Sequence, residues 1–155
     1  AADRAAAEAA AEAAREAADR AAAVLCAAGG LAVEACGSLD PAEAEGWSAL
    51  RASRPLAARM SLGWVCCSVL TVQVAALERR RAYPAAVALL RLLLRAPFCA
   101  GRRGHWWVRL CINSEHELGR RAAAPLVAHL SRAALADPHV SAGARADLTK
   151  RARRA

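Results

Sequence analysis

The chain has a single lysine, Lys150, and after residue 50 it has only five carboxylates: Glu78, Glu115, Glu117, Asp137 and Asp147. Metal-dependent phosphodiesterases gather carboxylates around their cation. None of these five lies in a Glu-x-Lys element, and Glu115 and Glu117, two apart on a helix, do not face each other. The scarcity excludes a metal-dependent nuclease core from this stretch, so no catalytic residue and no metal ligand is assigned in it. Paired cysteines are also missing. The six cysteines, Cys26, Cys36, Cys66, Cys67, Cys99 and Cys111, form no C-x-x-C element, and the pattern reads as small buried hydrophobes in a reducing compartment. Cys99, His105, Cys111 and His116 match no usual zinc spacing. Ser114 and His129 lack an orienting acid, which excludes a serine nucleophile. Long apolar runs are absent too: Trp64–Leu77 reads as too short for a bilayer, and charges interrupt Ala1–Ala23 where a signal peptide would be apolar.

Alanine and arginine are abundant. Residues 1–28 contain 17 alanines, and the chain begins at Ala1 rather than Met, which reads as a segment of something longer. Residues 1–50 carry a net charge of −6 and residues 51–155 a net charge of +14. That asymmetry suggests a polyanion partner for the second part, while an arginine-rich composition on solvated helix faces accounts for the same numbers.

The punctuation divides the chain into an alanine-rich helix over 1–28, a turn-rich linker with a short helix through Trp47 and Leu50 over 29–60, and a helical region over 61–155. In that region Leu62, Val65, Val69, Val72 and Ala76 step by three and four, with Cys66, Leu70, Val74 and Leu77 as a neighbouring stripe. So wide an apolar circumference predicts a helix buried between others; its length decides against a strand. A second helix follows Tyr83-Pro84 with Val87, Leu90 and Leu94 inward and stops at Pro97. A third covers about 103–118 and ends at Gly119. A fourth covers 122–136, with Pro125 tolerable only in its first turn. A fifth starts near Ser141. Leu94–Cys99 echoes Leu135–Val140, with the two prolines 41 positions apart. With alanines at the small-residue positions Ala86 and Ala124, the pattern predicts an all-α fold of stacked, tetratricopeptide-like helix hairpins, although such repeats usually run about 34 residues.

The stretch GRRGHWWVRL, residues 101–110, carries the chemistry. Trp106 and Trp107 point about 100° apart on a helix. With Trp64 and Leu110 they are expected to anchor the core; the alternative is a ring face exposed for base stacking. Gly101 and Gly104 are expected to make a tight turn. Arg102, Arg103 and His105 would then lie at a helix start, where backbone N–H groups and the helix dipole favour anions. Arg109 would join them one turn on, and guanidinium forks suit phosphate.

The block SLGWVCCSVLTVQVAALERRRAYPAAVALLRLLLRAPFCAGRRGHWWVRLCINSEHELGRR, followed by ALADPHVSAGARADLTKRARR, resembles the helical region of the Fanconi-associated nuclease family. The resemblance covers about residues 61–154. It implies a structure-specific DNA nuclease with 5′-flap endonuclease and 5′→3′ exonuclease action in interstrand crosslink repair, located in the nucleus. It also implies a Mg²⁺- or Mn²⁺-dependent nuclease domain lying outside this chain, and no cofactor within it. The helical region would link domains and guide branched or 5′-flap DNA, alongside protein partners in repair and with no membrane association. In eukaryotic members this region contributes to a basic pocket for the flap's 5′-phosphate. One pocket position falls on His105; the other falls on Ala144, a departure from the expected basic residue, with Arg145 adjacent as a candidate substitute. The candidate phosphate contacts are therefore Arg102, Arg103, His105, Arg109 and Arg145. The competing reading is a protein–protein adaptor without enzymatic activity, and a third is an alanine-rich structural domain.

Overall fold

The computed structural model describes residues 61–155 and, before them, Gly46, Ala49, Ala52, Ser53, Arg54 and Leu56. The alanine-rich helix expected over 1–28 and most of the 29–60 linker lie outside the described residues. Residues 61–155 fold into five α-helices and no strand: α1 (Leu62–Arg79), α2 (Tyr83–Arg95), α3 (Arg103–Leu118), α4 (Arg120–Ala136) and α5 (Ala142–Arg154), with a single 3₁₀ turn, Ala100–Arg102, before α3. Connections this short make successive helices antiparallel neighbours, and the all-α stack of hairpins follows.

The helix boundaries follow from local chemistry. Ser61 caps α1, its hydroxyl accepting from Trp64 N at 3.2 Å, and Ser141 caps α5. Pro84 occupies the first turn of α2, where its missing N–H removes no helical bond. α1 ends in a Schellman arrangement: Ala82 N donates to Leu77 O at 2.9 Å and Arg81 N to Glu78 O at 3.0 Å. Arg81 takes the left-handed conformation there, φ 59°, a position that glycine favours. Gly119 alone separates α3 from α4, at φ 79°.

Two expectations about backbone change. Neither Gly101 nor Gly104 has a positive φ; Cys99 makes the left-handed turn before α3, φ 53°. Gly104 serves packing instead. A Cβ on it would lie 2.8 Å from the Ala144 Cβ, so its absence lets α5 approach α3. Gly63 plays the same part on α1, where the Phe98 ring occupies the space of a side chain. Pro125 lies in the second turn of α4 because the helix begins two residues earlier than expected, at Arg120.

Two apolar clusters form the core. The first joins Cys66, Cys67, Leu70 and Val74 of α1 to Leu90 and Leu93 of α2 and Trp106 and Leu110 of α3. The second joins Cys111, Ala123, Val127, Ala134, Val140 and Leu148. Trp107 and Leu130 border both. Details of register depart from the pattern: Ala123 rather than Ala124 is fully buried, and Leu93 rather than Leu94. α1 is covered on one stripe only, since Leu62, Val65 and Val72 stay exposed. It is the outermost helix of those described, which is why the expectation of burial between others does not hold. Its 18 residues are long and apolar enough to cross a bilayer by length and composition, but Cys66, Cys67, Leu70 and Val74 are covered by protein.

Trp106 is fully buried and donates its Nε1–H to Thr71 Oγ1 at 3.1 Å, fastening α3 to α1. Large-to-small changes at buried tryptophan cost roughly 3–5 kcal/mol. Trp106→Ala should lower the urea-unfolding stability by that amount; an unchanged midpoint and slope would remove Trp106 from the core.

Candidate nucleic-acid interface

The five candidate contacts separate into two kinds. Three of the arginines are bound inside the fold. Arg103, which opens α3, donates Nε to Asp137 Oδ2 at 2.7 Å and Nη1 to Leu94 O at 2.8 Å. Arg145 donates to Leu135 O at 2.8 Å, Asp137 O at 3.0 Å and Val140 O at 3.1 Å. Arg109 pairs with Glu78 at 2.6 Å, and the same carboxylate accepts from Asn113 Nδ2. Their guanidinium forks meet carbonyls and carboxylates, so the grouping of all five as free phosphate contacts is corrected. Arg103 and Arg145 do equivalent work. Each follows a helix hairpin and caps the last carbonyls of its second helix, and their acceptors Leu94 and Leu135 are 41 positions apart, like the prolines.

Asp137 is the centre of this arrangement. It is buried at 8% exposure. Oδ2 accepts from Arg103 and from Trp107 Nε1 at 3.0 Å, and Oδ1 accepts from His139 N at 2.9 Å. Burial alone would raise its carboxyl; the bonds from Trp107, His139 N–H and Arg103 outweigh that and hold it below the ordinary carboxylate value. Trp107 is half-buried, as a core residue with its indole N–H on Asp137. Trp64 is also half-buried, and its place in the core is corrected: one face of its ring lies beneath the Arg102 guanidinium, 5.8 Å from the ring centroid.

Arg102 and His105 make up the second kind. Both are exposed, on the 3₁₀ turn and the first turn of α3. Arg102 makes a cation–π contact of the sort that stiffens an arginine without neutralising it. What burial the His105 ring has, then Arg109, hold its imidazole below the ordinary value; Glu78 opposes this and Arg102 adds to it. The ring is therefore largely neutral near pH 7. Ala144, the other position implied by the resemblance, packs against Gly104 beside His105. The fold thus brings the two positions together, but Arg145 cannot stand in for a base at 144 because its fork is bound to the end of α4.

The carboxylates among the described residues are dispersed over the helices. Glu78 and Asp137 are bound as described, Glu115 and Asp147 both flank Arg151, and the described residues contain no group of three potential metal ligands. Sequence patterns alone missed Asp137, Glu78, Asn113 and Thr71 as partners. The 41-residue echo held the available signal, since it placed Asp137 at the end of the second hairpin, which Arg145 caps as Arg103 caps the first.

A sequence model described as Fanconi-associated nuclease 1, TPR domain, matches residues 11–155. The Fanconi-associated nuclease 1 homologue of Dictyostelium discoideum is 35% identical over 94 residues, 61% of this chain and 8% of the relative. That of Arabidopsis thaliana is 41% identical over 93 residues, 60% of this chain and 10% of the relative. Fanconi-associated nuclease 1 of Homo sapiens is 36% identical over 93 residues, 59% of this chain and 9% of the relative. The chain spans about a tenth of the length of these relatives.

Removing Asp137 strands Arg103 and the Trp107 N–H, and breaking a buried pair from one side costs about 3–5 kcal/mol. Asp137→Ala should lose that much stability in urea unfolding. Because the folded carboxyl titrates below the unfolded one, its contribution is complete above about pH 4 and falls away as the pH drops further. Asp137→Asn should show a flatter loss of stability in acid than the parent chain; equal pH profiles would exclude this role.

Proposed function

The chain belongs to the Fanconi-associated nuclease 1 family, and we propose that this segment is a helical DNA-guiding and domain-linking region of a structure-specific nuclease. The nuclease name of the relatives supports a DNA substrate. The single observation that carries the local reading is the pairing of Arg102 and His105 at the start of α3: two exposed bases in front of a rigid helix end, with the three neighbouring arginines fixed to the fold. This pair is our candidate contact for a 5′-terminal phosphate of branched or flap DNA. A bound phosphate raises the depressed imidazole pKa, so binding takes up a proton at His105.

In this proposal the chain by itself is catalytically silent. Among the described residues Glu78, Glu115, Asp137 and Asp147 are engaged with arginines on separate helices, and no step of phosphodiester hydrolysis is assigned to them. Mg²⁺ or Mn²⁺ chemistry, 5′-flap and 5′→3′ exonuclease action, crosslink repair and a nuclear location belong to the proposal for the whole protein. The alternative of an adaptor for proteins is separated from it by salt. Neutralising about four phosphates gives a slope of log K against log salt near −3 to −4.

The test compares 5′-phosphorylated flap DNA, the same flap with a 5′-hydroxyl, and a blunt duplex. Arg102→Gln with His105→Gln should abolish the preference for the phosphorylated end and leave the melting temperature unchanged. In the parent chain that preference should grow as the pH falls from about 8 to 7, before the phosphate itself gains a proton near pH 6. A preference retained in the double variant, or no DNA binding at any salt, would reject the reading.

A further inference from the structure

The antiparallel order has a consequence at the end of the stack away from Arg102. The C-termini of α1, α3 and α5 and the N-termini of α2 and α4 share that end. Tyr83, opening α2, stacks on His116 near the end of α3 with ring centroids 4.7 Å apart. Arg151, near the end of α5, reaches Glu115 at 3.5 Å. Of the 16 lysines and arginines in residues 61–155, eight lie here: Arg79, Arg80 and Arg81 closing α1, Arg120 and Arg121 opening α4, and Arg151, Arg153 and Arg154 closing α5. Three carboxylates, Glu78, Glu115 and Glu117, accompany them, with Asp147 one turn back on α5; Glu78 is bound to Arg109, and Glu115 and Asp147 to Arg151. Seven of the eight arginines are exposed; Arg151 is the one held by carboxylates.

Helix ends alone do not account for this. Each terminus carries about half a charge, and three C-termini set against two N-termini leave about half a negative charge. Eight arginines exceed that need many times over. Arg120 and Arg121 also open a helix, where the dipole disfavours cations. A groove of about 740 Å³ between α3, α4 and α5, walled by Arg120, Arg151 and Arg154, runs into the same edge.

We propose that this edge is a second nucleic-acid contact, which holds the sugar–phosphate backbone of a duplex arm without reading its bases. The proposal extends the reading of the chain as DNA-guiding and concerns a surface distinct from the Arg102–His105 pair. Guanidinium groups on several helix ends match a ladder of phosphates, the duplex carrying about one charge per 1.7 Å of its axis. The groups project from separate helices and share no reader helix, so the contact is one of charge.

The test measures binding of the full 155-residue chain to a fluorescent blunt 20-bp duplex over a salt series. Arg80→Gln, Arg121→Gln, Arg153→Gln and Arg154→Gln are combined in one variant. It should bind at least about tenfold more weakly at low salt and flatten the log K–log salt slope by about 3. The matching Arg→Lys variant should recover most of the binding, since lysine meets phosphate as a point charge. Unchanged affinity and slope in the Gln variant would overturn the proposal. So would competition by polyglutamate equal to that by unlabelled duplex, which would identify an acidic protein as the partner. The two contacts fail separately: the Gln variant should keep the preference for a 5′-phosphate, and the Arg102–His105 variant should keep the duplex slope.

Discussion

The start of α3 is held by one carboxylate. Asp137 receives Arg103, the Trp107 indole and the His139 amide, so the position of α3 relative to the end of α4 is set by three donors converging on two oxygens. A buried ion pair contributes little net stability because desolvation offsets attraction. What it supplies here is registration. Arg103 simultaneously holds the end of α2 through Leu94 O, and Trp107 borders both apolar clusters. A shift of one residue in α3 would strand all of these groups at once. The exposed pair Arg102 and His105 inherits its rigidity from this lock, flanking Arg103 on either side.

The helices were legible because proline, glycine and serine punctuate them. Tyr83-Pro84, Pro97, Gly119 and Ser141 each mark a real boundary. The core was legible in kind and less so in register. Ala123 replaced Ala124 and Leu93 replaced Leu94 because adjacent residues on a helix differ by about 100°, and which of two small neighbours faces inward depends on the crossing helix. The outer stripe of α1 was read as buried because Leu62, Val65 and Val72 have the composition of a core; periodicity reports that a face is apolar and is silent about what covers it.

The arginines show a deeper limit. A guanidinium fork suits phosphate, carboxylate and paired carbonyls alike, so residue type could not sort Arg103, Arg109 and Arg145 from Arg102. Distances did. The two blocks that carry the family resemblance, GRRGHWWVRL and ALADPHV, prove to be each other's partners: Arg103 and Trp107 of the first hold Asp137 of the second. Sequence separation of 34 residues hid that contact, while the 41-residue echo between Leu94 and Leu135 recorded a different one, the arginine cap on the end of each hairpin.

The charge of the described region is thereby partitioned. At the α3 start, Arg103 and Arg145 are satisfied inside the fold, which leaves Arg102 and His105 as the exposed pair that we propose as the phosphate contact. At the far end the arginines are mostly unsatisfied and spread over several helices. α3 joins the two ends, and its 16 residues measure about 24 Å. Along a duplex that length corresponds to roughly 14 phosphate charges, and in the proposed reading one arm would meet the far edge while its strand end reaches Arg102. A separation fixed by a rigid helix, rather than by a loop, gives the proposed guide a defined span: DNA shorter than about seven base pairs cannot occupy both contacts, and longer DNA gains both at little added entropy.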